Sequence, residues 1–157
     1  MPSRIYRGKI PPSRLDHLLA HPYEIPLAIF GFLACLGVLV AELVPPISVS
    51  PTIDGLNGVI AWLVGALGIV GNVLVVKGLL DDGPDLMPGW QDERTGLALA
   101  GASWAIYAVS VALTFPGSVV SWAIAAVVAC SHATRLRATF AEEEDVRDAV
   151  QRHGEAA

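Results

Sequence analysis

Residues 95–134 read TGLALAGASWAIYAVSVALTFPGSVVSWAIAAVVACSHAT, 40 residues between Arg94 and Arg135 without one charge. A helix rises 1.5 Å per residue, so about 20 apolar residues cross a hydrocarbon core of roughly 30 Å. One span cannot use 40. Pro116-Gly117 divides the run into 95–115 and 117–134, which predicts two helices folded back on each other through a very short turn. Open backbone is costly in hydrocarbon, and nothing here alternates as the strands of a membrane barrel would.

Two further runs lie upstream. The first covers residues 25–44, with Pro26 in its first turn, Glu42 near its end and Pro45-Pro46 closing it. The second lies between Asp54 and Lys77 and is expected to span 55–77. The chain is therefore read as all-α: a four-helix integral membrane bundle over 25–134, preceded by a basic segment, 1–24, and followed by a charged helical tail, 135–157. Residues 78–94 read as a polar loop, with Trp90 as an interface anchor.

Composition agrees. Of 157 residues, 54% are hydrophobic and 16% charged, where soluble domains carry about 25% charge. Mean hydropathy is +0.56. The net charge of −5 owes much to the single run Glu142–Asp145. No basic stripe with interleaved aromatics occurs, which argues against nucleic-acid binding. Cys35 and Cys130 read as buried free thiols.

All ten Lys and Arg fall on one side of this topology: four before the first span, Lys77 and Arg94 beside the second loop, and four after the last span. The positive-inside rule predicts both termini in the cytoplasm of a cell with this protein in its inner membrane. A signal peptide cut after Ala41 would need an unusually long basic region. Phe32–Cys35 fits a lipoprotein box poorly, because the apolar run continues past the cysteine.

Within the second span Gly58, Ala61, Gly65, Gly68 and Asn72 recur at spacings of 3, 4, 3 and 4, on one face. Small residues let backbones approach closely in lipid, so the seam predicts packing within the bundle or contact in a homo-oligomer. The third span carries Gly96, Ala100, Ser103, Tyr107, Ser110 and Thr114, a stripe suited to helix packing or to lining a wet path.

Glu42 is the candidate intramembrane acid. A carboxylate at the bilayer centre would cost roughly 2.5–3.5 kcal/mol, but Glu42 is close enough to Pro45 to reach the interface. Asn72 reads as a bonded amide and His132 as an interfacial histidine. His17 and His21 share a face if their segment is helical. Neither they nor Cys130 with His132 supply the ligands a zinc site needs. No nucleophile elbow, phosphate loop or zinc-protease motif occurs, so no catalytic residue, metal or cofactor is expected. In the tail, Glu143–Arg147 and Asp148–Arg152 are spaced for ion pairs, while Leu136 and Phe140 are placed on the membrane surface. A protein partner at this tail is expected if the chain is an anchor.

The stretch Trp90 to Tyr107, with Trp90, then Glu93-Arg94, then Thr95-Gly96-Leu97 entering a helix with Trp104 and Tyr107, resembles small multi-span membrane proteins of actinobacterial phages, which are treated as candidate holins. The resemblance implies a non-enzymatic protein that oligomerises in the inner membrane and permeabilises it for host lysis. The tail, mixed and partly acidic, departs from the basic tails common in holins. Two other functions fit the residues: a membrane anchor or structural subunit, and a small four-helix transporter coupled through Glu42.

Overall fold

The computed structural model describes residues 22–44, 51–81 and 87–155. Five helices follow in order: α1 (Glu24–Leu43), α2 (Pro51–Asp54), α3 (Gly58–Leu80), α4 (Met87–Thr114) and α5 (Val119–Glu155). No strand occurs among the described residues. Four of the helices are long and apolar enough to cross a membrane. The chain is a helical bundle of the multi-pass membrane kind.

The 40-residue uncharged run is a hairpin. Helix α4 stops at Thr114 and α5 begins at Val119. The turn is held by the Ser118 N–H donating to Phe115 O at 2.9 Å, and the Trp122 N–H then opens α5 on Ser118 O at 3.3 Å. Asn57 caps α3, its side chain accepting from the Val59 N–H at 2.9 Å, which satisfies one of the donors that every helix start leaves bare.

Two boundaries correct the sequence reading. The polar stretch Pro88–Arg94 is not loop but the first two turns of α4. Its charges mimic a loop because α4 runs past the apolar layer: 28 residues make about 42 Å of helix. Trp90 is consequently buried within the chain rather than standing free as an anchor. The second span also lies later than expected, at 58–80 instead of 55–77, since Asn57 sets its start. The fourth span and the tail form one uninterrupted helix, 37 residues or about 55 Å.

Helix α3 packs against both α1 and α4, and α4 in turn against α5. Between α3 and α4 the backbones touch. A Cβ on Gly71 would lie 2.5 Å from Ala100 N, and one on Gly96 would lie 2.6 Å from Gly71 O. Seven residues on, a Cβ on Gly78 would lie 2.5 Å from both Glu93 N and Gly89 O. Gly71 and Gly78 thus meet Gly96 and Gly89 with a two-turn repeat on each helix, the signature of close antiparallel packing.

Outside this interior the helices are coated with Ile29, Phe30, Leu33, Val59, Val70, Val109, Val120, Ile124 and Val127, all exposed. In water such a coat would aggregate; against lipid it is the expected surface. Cys130 lies on that coat, exposed, while Cys35 is buried. The expectation of two buried thiols therefore fails at Cys130, because α5 packs along one side and leaves its other face outward.

Candidate functional site

Charged side chains gather at one end of the bundle, where α1 begins and α3 ends. The centre is Arg135 on α5. Its guanidinium meets Glu24 of α1 at 2.5 Å, Glu93 of α4 at 2.7 Å and Glu142, two turns further along α5, at 2.6 Å. The Arg135 side chain is 9% exposed and that of Glu93 wholly buried. A second knot lies alongside. Arg94 pairs with Glu143 at 2.5 Å, donates to Thr139 O at 2.9 Å and stands 4.0 Å above the Phe140 ring. Glu143 also holds Arg147 at 2.6 Å, the expected i, i+4 pair. Arg152, expected to pair with Asp148, lies outside the described side chains.

The knot is a clamp. Its planar forks bridge three helices, α1, α4 and α5, through bidentate-capable groups. Desolvating so many charges makes little net stability, but removing one partner from such a cluster leaves a buried charge without compensation. Lys77–Asp92, at 2.6 Å and with the lysine well exposed, is the contrasting surface pair and contributes little.

Beside the clamp, Leu136 packs on the cluster of Ala28, Val75, Leu79 and Leu97. It therefore faces the core and not the membrane surface as expected; Phe140 is exposed, beneath Arg94. His132, beside Arg135 at the charged end of the bundle, is buried within the chain, with Nδ1 2.9 Å from Val128 O. Glu24, His132 and Arg135 line a small hollow of about 40 Å³, room for a water molecule. His17 and His21 lie outside the described residues.

The small-residue seam predicted in the second span and the polar stripe predicted in the third meet each other inside one chain. Ala61, Gly65, Gly68 and Asn72 are buried, and Gly58 is half-buried. Gly65 closes on Leu39 and Cys35 O of α1, and Gly68 on Cys35 and on Ser103 of α4. Gly31 of α1 lies against the Asn72 amide, whose Nδ2 donates to Gly68 O at 2.7 Å while its Oδ1 is buried without a hydrogen bond. The seam is thus filled by the chain's own α1 and α4.

From α4, the Ser103 hydroxyl donates to Val64 O at 2.7 Å and lies 3.8 Å from the Cys35 thiol. Tyr107 and Ser110 are half-buried and Thr114 is exposed at the hairpin end. Glu42 is half-buried in the last turn of α1; a Cβ on Gly58 would lie 3.3 Å from its Oε2. It stands at the end of the bundle opposite the clamp.

The sequence reading overlooked three things: the Gly71/Gly78 contact, the role of Arg135, and a cavity between α1, α3 and α4. For the first, the signal was present, since Gly68, Gly71, Val75 and Gly78 repeat the same 3–4–3 spacing one face over. Glu24 and Arg135 stand directly beside an apolar run and Glu93 two residues before one, but which of them meet depends on how the helices are arranged. No family model, curated protein or solved structure matches the chain.

Proposed function

We propose that this chain is a holin-like phage membrane protein, which assembles in the inner membrane with both termini in the cytoplasm and opens it for host lysis. One observation carries the reading: α4, the helix bearing the Trp90–Tyr107 resemblance, also bears the polar stripe, and its deep member Ser103 is turned inward onto α3. A hole through lipid needs a polar lining, whereas a dormant monomer needs an apolar coat. This chain has both. Cys35, Asn72 and Ser103 are sealed against glycines inside an apolar exterior. While α1, α3 and α4 stay packed, lipid meets none of these three side chains. When they part, as copies associate, the same face is available to water.

The clamp supplies the resistance to parting. It ties α1 to α4 and α5 at the end that the positive-inside rule assigns to the cytoplasm. Inducible expression in a bacterial host, with membrane potential and release of a co-expressed lytic enzyme followed together, tests the proposal. Abrupt, timed depolarisation with enzyme release is expected. Continued growth at full potential, with the protein demonstrably inserted, contradicts it.

A second reading, a non-enzymatic anchor that binds a protein partner, is favoured by α5. More than half of that helix, residues 136–155, extends beyond Arg135, and the first turns of this extension are bolted to α4 through Thr139 and Glu143. A rigid projecting helix suits docking. Deleting residues 138–157 would abolish an anchoring role but leave hole formation possible, with an earlier onset because Glu142 and Glu143 of the clamp are lost. Transport coupled through Glu42 draws less support, because the group stands at the end of α1 rather than midway along it.

A further inference from the structure

The small-residue seam of α3 ends in Asn72, which is 1% exposed. Its Nδ2 donates to Gly68 O of the same helix, and its Oδ1 accepts no hydrogen bond. The amide faces α1: a Cβ on Gly31 would lie 2.8 Å from that Oδ1. Gly31 makes room for the amide but brings no side-chain donor to it. Nearby, a cavity of about 130 Å³ lies between α1, α3 and α4, lined by Cys35 and Val38 of α1, Val64 of α3 and Ser103 of α4. Helix α1 thus covers the seam without satisfying its amide and without filling the space beside it. Among the long helices, its main contact is with α3 alone.

A buried acceptor is nearly always paired, and leaving one unpaired is costly. An asparagine side chain carries two N–H donors and one carbonyl, so a second copy of the same amide is its natural complement. We infer that the seam from Gly58 to Asn72 is the docking face for the same seam of a second copy of this chain, α3 against α3, once α1 leaves it. The inference rests on the oligomerising function proposed above and names the surface that would carry it. Two copies inserted in one orientation, related by a two-fold axis along the membrane normal, bring Asn72 to Asn72 at the same depth. Each Nδ2 keeps one hydrogen on Gly68 O and gives the other to the Oδ1 across the interface. Gly58, Ala61, Gly65 and Gly68 let the two backbones approach closely, which is how helices associate in lipid. An α1 supplied by the second copy would bring the same Gly31 and leave Oδ1 as it was. Departure of α1 also uncovers Ser103 of α4, so the pairing and the opening of the polar face are one event.

The full chain bearing Cys35→Ser, Cys130→Ser and Ala61→Cys has its single thiol on the seam, at a position with no exposure in the packed chain. It is placed in lipid vesicles, oxidised with copper phenanthroline and run without reductant. A cross-linked dimer is expected. Asn72→Ala, added to this chain, keeps the seam small and removes the amide. Where dimer is the minor species it should lower the cross-linked fraction about sevenfold, the ratio that two hydrogen bonds of ordinary strength between membrane helices supply. An unchanged fraction would overturn the role of the amide. Val127→Cys, on the apolar coat of α5, should cross-link far less than Ala61→Cys; a stronger band there would overturn the choice of surface. Copies bearing Gly58→Cys, mixed with copies bearing Glu42→Cys, separate paired seams from an exchanged α1, since Gly58 and Glu42 face each other across the α1–α3 contact. Gly58→Cys joined to itself supports the proposal, and unlike copies joined instead would overturn it. Gly58→Cys also replaces Ala61→Cys if that variant does not fold. Because the vesicles need no lysis, a seam cross-link without depolarisation of induced cells would keep the docking face and sink the holin reading. Depolarisation without a seam cross-link would do the reverse.

Discussion

Arg135 and Asn72 are both polar and both buried, yet their replacement should have opposite consequences. Arg135 pairs with Glu24, Glu93 and Glu142, each within 2.7 Å. Arg135→Leu leaves the wholly buried Glu93 carboxylate beside two others, a change that costs about 3–5 kcal/mol. We expect a fall in thermal stability in detergent and faster amide exchange across 136–148; unchanged exchange there would deny that the clamp holds α5. Arg135→Lys should recover only part of the loss, since an ammonium cannot present the planar fork that serves three carboxylates. Asn72, by contrast, bonds its own helix through Nδ2 and leaves Oδ1 without a hydrogen bond. Polar contacts between membrane helices average well under 1 kcal/mol, so Asn72→Ala should shift stability by no more than about 1 kcal/mol. A large loss would mean that the amide organises the α1–α3 contact.

At the scale of elements, glycines separate into two kinds. Gly37 of α1 has nothing within 4 Å of where a Cβ would stand. Gly37→Ala should therefore be neutral or stabilising by up to about 1 kcal/mol, as alanine is the better helix former. Gly71 and Gly96 meet backbone, which cannot rotate away. Gly71→Val or Gly96→Val should cost at least about 1–3 kcal/mol and separate α3 from α4, measurable as lost protection of Gly96 to Ser103 in hydrogen exchange. Much of the element layout was readable from the sequence: the charge-free run with Pro116-Gly117 at its middle forces the α4–α5 hairpin, and Pro45-Pro46 ends α1. Pro88–Arg94 was not readable as helix, because charge at a bundle's end looks the same in sequence as charge in a loop. The Gly58–Asn72 seam was readable as a small-residue face, but not which helix would fill it. The clamp depends on three helix ends, far apart in the chain, arriving together, and no local pattern encodes that.

For the whole molecule, the account joins a polar interior, an apolar coat and a charged clamp into one device. Under it, weakening the clamp should hasten opening. Glu142→Gln, milder than loss of Arg135, should bring forward depolarisation after induction without lowering the amount of inserted protein; a delay would contradict the clamp's role. Orientation is tested apart from function: a periplasmic reporter fused after residue 157 should be inactive. The most direct test of the central claim follows water itself. In a chain bearing Cys35→Ser, Cys130→Ser and Ser110→Cys, the new thiol on the α4 stripe is probed with a charged, membrane-impermeant thiol reagent before and after depolarisation of induced cells. The account predicts a thiol that is silent in the intact membrane and reacts once the potential falls; a thiol that stays silent after depolarisation would contradict it.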